Sequence, residues 1–168
     1  VAPSRGLGDV YKRQTNYCIN TANPFNWVHV AKKINKLSPD LVVFQWWHPY
    51  FAPCYQIICS LLKTKEILFV CHNVFPHERF PMDRLLTQAT LKKGKYYIVH
   101  SKLDEVDLLS VKKDARYKKA VIPTYNVFNK SQLEKDDARK ILNVAQNEFL
   151  LLFSGLIREY KGLKYLLK

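Results

Sequence analysis

ILFVCHNVFPHERFPMDRLLTQATLKKGKYYIV, residues 67–99, is the stretch that decides the fold we predict for this chain. Ile67 to Cys71 is a short apolar run of the kind that forms a buried strand, and Tyr96 to Val99 is a second one. Between them, Met82 to Lys93 has the apolar spacing of a helix, which Gly94 ends. A strand, a helix and another strand in this order predict two parallel strands joined by a right-handed crossover.

The same alternation continues on both sides of this unit. Its strands are apolar on both faces, which is typical of a parallel sheet covered by helices on each side. We therefore predict the α/β class, with a Rossmann-like parallel sheet whose ligands bind at the carboxyl ends of the strands. Further strands are predicted at 41–44, 119–122 and 148–153, and further helices at 24–37, 49–63, 101–110, 131–143 and from residue 161.

Two parts of the chain lie outside this alternation. Residues 1–14, VAPSRGLGDVYKRQ, have neither helical nor strand periodicity, and we predict a non-native or disordered tail there. Pro123 to Ser131 is a break that contains Pro, Asn and Thr and precedes a charged helix, and we predict the domain boundary within it. Residues 15–127 are thereby assigned to one domain and residues 128–168 to the start of another.

The composition limits the classes of partner. With 27 Lys and Arg against 14 Asp and Glu, the formal net charge is +13, which favours phosphate esters, an anionic membrane face or nucleic acid. No recognition motif for DNA or RNA accompanies this charge, so no nucleic-acid partner is predicted. The four cysteines have apolar neighbours and no framework spacing, which indicates buried, reduced thiols of a cytoplasmic protein. No apolar run is long enough for a transmembrane helix.

A phosphate-binding motif is predicted in residues 150–162, LLLFSGLIREYKG. Gly155 follows an apolar run and lets a ligand approach the backbone closely. Arg158 and Lys161 add charge-assisted hydrogen bonds to a diphosphate, and Lys161-Gly162 is predicted to begin a helix whose N-terminus favours anions. The spacing differs from G-x-x-x-x-G-K-[ST], and taken alone the segment is better explained as an ordinary helix start.

A second group of polar residues follows the strand Ile67 to Cys71. His72 and Asn73 come directly after the strand, and His77 and Glu78 follow in the next loop. A histidine that serves only to complete the strand end is an open alternative for His72. The spacing is not H-E-x-x-H and no C-x-x-C pair is present, so no metal site is predicted.

Two further hypotheses concern other residue types. The pair Trp46-Trp47 after the first strand either stacks on a sugar ring or packs beneath the domain, and the sequence leaves both open. A Ser-His-Asp hydrolase is not supported, because neither G-x-S-x-G nor an equivalent strand–turn–helix serine is present.

Together, F-S-G-L-I-R-E-Y-K-G-L-K-Y-L-L and C-H-N-V-F-P-H-E resemble family 4 glycosyltransferases, enzymes of the two-domain GT-B fold. The resemblance implies that Lys161, with Gly155 and Gly162, holds the diphosphate of a sugar-nucleotide donor. Leu156 occupies the position of the family's usual Arg, and Arg158 is the expected substitute. By the same resemblance His72 lies near the transferred sugar as the catalytic residue.

The resemblance also assigns an acceptor side and a reaction. It places Asn73, His77 and Glu78, and Ser101 of the segment Ile98 to Ser101, at the acceptor side or in support of it. The implied reaction transfers a sugar from a UDP- or GDP-linked donor to a hydroxyl of a glycan or lipid-linked acceptor, with retention and without a cofactor or metal. We expect a cytoplasmic protein with peripheral contact to the anionic inner membrane face.

The resemblance covers residues 24–168 and sets the expected extent of the chain. Residues 15–127 correspond to the later part of the acceptor-side domain, and residues 128–168 to the first part of the donor-side domain. The family's acidic E-x7-E segment would follow Lys168. We therefore expect an internal fragment that is inactive by itself. The alternative is a non-catalytic Rossmann-like module that binds an anionic ligand.

Overall fold

The structure, a computed structural model, describes residues 16–122 and 133–166. It divides into two compact units between Ala120 and Val121. The predicted tail, residues 1–14, and the predicted boundary segment, residues 123–131, lie outside the described residues.

The first unit contains a four-stranded parallel sheet in the order β1-β2-β3-β4. This confirms the α/β class with a Rossmann-like parallel sheet flanked by helices, whereas the two-domain GT-B architecture remains a prediction. In chain order the elements are α1 (Pro24–Leu37), β1 (Val42–Trp46), a 3-10 turn (Pro49–Phe51), α2 (Ala52–Leu61), β2 (Ile67–Cys71), α3 (Asp83–Leu91), β3 (Tyr96–Val99), α4 (Lys102–Val111) and β4 (Arg116–Lys119). In the part of the chain that the structure describes, no helix could cross a membrane.

The sheet has one covered and one open face. Phe44, Phe69 and Tyr97 are paired neighbours in the register and form a buried row of stacked rings. Each strand lies beside the one before it, in a single direction across the sheet. Right-handed crossovers then place all the connecting helices on one face, so α2, α3 and α4 cover this row. The other face carries the exposed Val43 and Gln45. The apolar strands also predict helices on that second face, but the described residues form none there.

Two helices of this unit begin at caps that the sequence predicts. The Asn23 side chain accepts hydrogen bonds from the backbone N–H groups of Phe25 and Asn26, and Pro24 occupies the first position of α1. Ser101 caps α4 and accepts a hydrogen bond from the Asp104 N–H at 3.0 Å. The bounds of β2 and β3 are also as predicted.

The last strand of the sheet lies three residues earlier than predicted. We expected Lys119 to Ile122, but β4 is Arg116–Lys119. The neighbouring strand decides this position, because β3 offers four residues for pairing and Val99, its last, pairs with Lys119. The Tyr117 hydroxyl also donates to Glu105 of α4 at 2.7 Å, which holds the strand in this register. Val121 is consequently exposed.

The cysteines are unpaired, as expected for reduced thiols. Cys54, Cys59 and Cys71 are buried, while Cys18 is only partly buried, which corrects the prediction for that residue. Burial raises the pKa of the Cys71 thiol to about 12, so it stays protonated and unreactive at neutral pH.

The second unit contains two short helices, α5 (Lys135–Ile141) and α6 (Leu163–Leu166), and a 3-10 turn at Glu159–Lys161. The helix predicted over 131–143 is shorter in the structure, because α5 begins at Lys135 and ends at Ile141. Glu134 precedes α5 in extended conformation and without a side-chain cap bond. Ser131 lies outside the described residues.

The predicted strand at residues 148–153 does not form. Phe149 is 98% and Leu152 85% exposed, and the segment is irregular. A strand exists only when its backbone pairs with a neighbour, and no described residue pairs with this segment. Lys161 also does not begin a helix, since it ends the 3-10 turn, and α6 starts at Leu163.

Candidate functional site

A row of ring-bearing side chains follows three adjacent strands at the carboxyl edge of the sheet. The register pairs Trp46 with Cys71 and Cys71 with Val99, so the next residue of each strand comes into one line. These residues are Trp47, His72 and His100. The Trp47 and His72 ring centroids are 5.4 Å apart with the rings at 89°, and those of His72 and His100 are 5.6 Å apart. We call them the carboxyl-edge row.

Gln45 orients the central histidine of this row. The Nε2 atom of His72 lies 2.8 Å from the Oε1 atom of Gln45. An amide oxygen only accepts hydrogen bonds, so His72 Nε2 carries the proton that it donates. In the neutral ring the lone pair is then on Nδ1, the nitrogen that accepts hydrogen bonds from other groups. The strand residue Gln45 thus selects the tautomer of His72.

His100 is held in the opposite tautomer. Its Nδ1 atom lies 2.8 Å from the backbone oxygen of Ala120. Because a carbonyl oxygen can only accept, Nδ1 donates, and the neutral ring has its lone pair on Nε2. Both residues lie at strand ends, where the sequence predicts ligand binding, but the motifs assign neither Gln45 nor His100 a role.

The environment of His72 favours its neutral form. Burial lowers the pKa of His72 below its ordinary value of 6.5, and the neighbouring His100 lowers the pKa further. A neutral imidazole at neutral pH can accept a proton or a hydrogen bond from a hydroxyl group, which is the chemistry of a general base.

The titration of His72 is directly measurable. We expect its midpoint below 6.5 in ring NMR spectra, and His100→Asn should raise it without reaching 6.5, because burial remains. Because the folded state holds the neutral ring, His72 makes no contribution to stability above pH 6.5. As the pH falls from 6.5 toward the folded pKa, only the unfolded chain binds the proton, so the free energy of unfolding decreases. A midpoint at or above 6.5 would contradict this description.

The loop after His72 is fixed by buried hydrogen bonds. The Trp46 indole donates to the Val74 carbonyl at 3.0 Å, and the Val74 N–H donates to Asp104 Oδ1 at 3.0 Å. The Ser101 hydroxyl donates to the other carboxylate oxygen of Asp104 at 2.6 Å. Ser101, predicted for the acceptor side, therefore caps α4 and supports the loop that begins with His72 and Asn73. Asn73 itself is half-buried in that loop.

The far end of the loop is held by an ion pair. Arg79 donates from Nε to Asp83 Oδ2 at 2.5 Å and from Nη2 to Oδ1 at 2.9 Å. This bond to Arg79 lowers the pKa of the buried Asp83 below its ordinary value. His77 and Glu78 are exposed between these two anchors. Among residues 16–122 and 133–166, no three His, Cys, Asp or Glu side chains are grouped to hold a metal ion.

The two tryptophans at the end of β1 have different environments. Trp46 is fully buried and packs its ring against Phe69, edge to face. Trp47 is 60% exposed and lies in the carboxyl-edge row. His48, the next residue, accepts a hydrogen bond from the Tyr50 N–H and so begins the 3-10 turn. Of the two alternatives that the sequence leaves open, packing applies to Trp46, and Trp47 keeps a ring available for a ligand.

The second unit contains the predicted phosphate-binding residues. Gly155 has a φ of +119° and Gly162 of +70°, backbone conformations that favour glycine. A Cβ atom at Gly155 would lie 2.7 Å from the Nζ atom of Lys161. The ammonium group of Lys161 therefore lies directly against the glycine, and any other residue at this position would displace it.

Arg158 lies in the same loop. It lines a cavity of about 350 Å³ together with Ile157, Glu159, Leu163 and Lys164. Lys164 forms an ion pair with Glu159 at 2.6 Å. The N–H groups of Lys161 and Gly162 donate to the carbonyls of Arg158 and Glu159. The prediction that Lys161 and Gly162 begin a helix with free N–H groups is therefore wrong, while Gly155 and Lys161 are together.

The candidate site residues thus lie in two places, each within its own unit. The first is the carboxyl-edge row with Gln45, and the second is the loop from Gly155 to Gly162. Neither a family model, nor a curated protein, nor a solved structure matches this chain.

Proposed function

We propose that this chain is part of a glycosyltransferase that moves a sugar from a UDP- or GDP-linked donor to a hydroxyl group of a glycan or lipid-linked acceptor. The observation that carries the proposal is the contact between Lys161 Nζ and Gly155. It brings together the cation and the bare backbone that the resemblance to family 4 glycosyltransferases assigns to the donor diphosphate.

The chemistry of the donor supports this role for Lys161. When the sugar leaves, negative charge develops on the diphosphate, and a positive group already in place stabilises that charge. Ammonium and guanidinium groups form the stronger, charge-assisted hydrogen bonds with phosphate oxygens. Lys161 supplies such a group above Gly155, and Arg158 lies in the same loop. No metal or cofactor is part of the proposed reaction.

His72 supplies the corresponding group of the first unit. Its bond to Gln45 leaves the Nδ1 lone pair for a hydroxyl group, and burial lowers its pKa. A neutral imidazole suits an alcohol substrate, because it can accept the hydroxyl proton as a hydrogen bond or as a base. Asn73 and the anchored loop through Asp83 complete the acceptor side in this proposal.

The proposed location is the cytoplasmic face of a membrane. The net charge of +13 attracts anionic lipid, and lipid-linked acceptors are found at such a surface. Equal binding of the chain to vesicles with and without anionic lipid would contradict this part of the proposal.

Diphosphate binding tests the proposed donor loop. We expect added pyrophosphate, UDP and GDP to shift the amide NMR signals of Gly155 and Gly162 in the 168-residue chain. Lys161→Ala should weaken this binding at least about tenfold, since it removes a hydrogen bond from a charged donor. The matched control is Lys140→Ala, which removes one positive charge of the same unit, where Lys140 pairs with Asp137 at 3.2 Å.

The control decides between a site and general charge attraction. Lys140→Ala should leave the dissociation constants within about twofold at fixed ionic strength. Equal weakening by both variants, or unchanged Gly155 and Gly162 signals in the wild-type chain, would refute the donor loop.

A further inference from the structure

We propose that Trp47, Gln45 and His72 form a subsite for a neutral, hydroxyl-rich ring, with Trp47 as the stacking surface. The inference rests on the proposed function only for the role of this ring, which would be the acceptor sugar. It assigns ligand contacts to Trp47 and Gln45, beyond the residues that the motifs indicate.

The first argument is the exposure of Trp47. The other tryptophans are buried, and their indole N–H groups donate to backbone oxygens, Trp27 to Asn20 at 2.7 Å and Trp46 to Val74 at 3.0 Å. Trp47 keeps 60% of its surface exposed in the ligand-binding edge of a parallel sheet. A large aromatic ring in such a place offers an apolar face and one polar N–H, which matches the alternating C–H and O–H groups of a sugar.

The second argument is the geometry of the neighbouring ring. The planes of Trp47 and His72 meet at 89° with centroids 5.4 Å apart. The indole and the imidazole are therefore in edge-to-face contact. In the proposed subsite the indole is the apolar wall, and the imidazole with Gln45 is the polar wall, beside the hydroxyl groups of a ring that lies against Trp47.

The third argument is the hydrogen-bonding capacity of the polar wall. Gln45 uses its oxygen to hold His72 Nε2, and its amide group remains a donor. His72 presents Nδ1 as an acceptor. One donor and one acceptor side by side suit hydroxyl groups, which both donate and accept. None of the three side chains carries a charge at neutral pH, so the subsite favours a neutral ligand over an anion.

Titration with methyl glycosides tests the subsite. The probes are the methyl α-D-glycosides of glucose, mannose and galactose, added to the 168-residue chain, with the Trp47 indole and the His72 ring followed by NMR. We expect both signals to shift with at least one probe, and glycerol, which has hydroxyl groups but no ring, to leave them unchanged. Trp47→Ala should weaken binding, read at His72, about tenfold.

Tyr50 provides a matched control for the loss of an exposed aromatic ring. It also is 60% exposed and lies in the adjacent 3-10 turn, outside the row. Tyr50→Ala should leave glycoside binding unchanged. Gln45→Leu should weaken it severalfold and give His72 a mixture of tautomers in its ring nitrogen shifts, which a merely structural role of Gln45 in the strand would not produce.

The outcomes separate this inference from the proposed function. Unchanged Trp47 and His72 signals with all three glycosides, or equal weakening by Tyr50→Ala and Trp47→Ala, would overturn the subsite. Glycoside binding without pyrophosphate binding would contradict the proposed function and support the subsite. Pyrophosphate binding without glycoside binding would overturn the subsite alone.

Discussion

Asp104→Ala is expected to lower the free energy of unfolding of the first unit by about 3 kcal/mol. The side chain is buried, and its two oxygens accept the Val74 N–H and the Ser101 hydroxyl. Alanine leaves the fully buried Val74 N–H without a partner, which costs more than the lost bond itself. The Ser101 hydroxyl loses its acceptor at the same time, although Ser101 still accepts a hydrogen bond from the backbone N–H of residue 104. Urea unfolding followed by the fluorescence of buried Trp27 and Trp46 measures the change.

Two variants of the same helix sharpen this prediction. Asp104→Asn keeps an oxygen for the Val74 N–H, so its loss should be about half as large. Asp107→Asn removes the same charge, but burial and the nearby Asp104 raise the pKa of Asp107, so its carboxylate is disfavoured in the folded chain. We expect Asp107→Asn to be neutral or slightly stabilising. A loss with Asp107→Asn as large as that with Asp104→Ala would indicate a general charge effect instead.

Gly94→Ala, as a separate single variant, is also expected to lower the free energy of unfolding by about 3 kcal/mol. A Cβ atom at Gly94 would lie 2.6 Å from Phe69 Cδ2 and 2.9 Å from the Tyr97 hydroxyl. Both rings are buried, so neither can move into solvent. The Tyr97 hydroxyl is also held by the carbonyls of Leu91 and Gly94, at 2.5 and 2.7 Å.

A second substitution tests the cause of this destabilisation. Phe69→Val removes the Cδ2 atom that lies nearest to the added Cβ atom, because valine has no δ-carbon. The double variant Gly94→Ala, Phe69→Val should therefore be more stable than the sum of the two single losses predicts, by about 1 kcal/mol. Strict additivity in the double-mutant cycle would show that the cost of Gly94→Ala does not come from this close approach.

The first unit was predictable because local and long-range signals agree there. Ile67–Cys71 and Tyr96–Val99 are apolar runs whose ends coincide with the residues that pair in the sheet. The cap residues Asn23 and Ser101 act through bonds to the next few residues, which sequence spacing specifies directly. In such places local preference and tertiary structure lead to the same element.

The prediction is wrong where an apolar run depends on a distant partner. Residues 119–122 and 148–153 are both apolar enough for a strand, but hydrophobicity does not specify a neighbour. For β4, pairing with the four residues of β3 selects Arg116–Lys119 instead. For 148–153, no described residue provides a neighbouring strand.

In the candidate site, too, local motifs indicate some residues, whereas others come together only through the sheet. The motifs selected His72 because it directly follows a predicted strand. They selected Gly155 and Lys161 because both lie in one short segment after an apolar run. The motifs assign no role to Gln45 and His100, because their role comes from the sheet register, which aligns residues far apart in sequence. Aligning the residue after each predicted strand would have brought Gln45, His72 and His100 together, whereas Trp47 joins the row because β1 extends to Trp46.

The central claim is that this chain is part of a sugar-nucleotide-dependent transferase. The most direct test measures the release of UDP or GDP from nucleotide sugars by the protein that the complete reading frame encodes, beside its Lys161→Ala variant. We predict release by the wild type, at least about a 100-fold loss in Lys161→Ala, and no release by the isolated 168-residue chain. No release from any UDP- or GDP-sugar, or release that Lys161→Ala leaves unchanged, would contradict the claim.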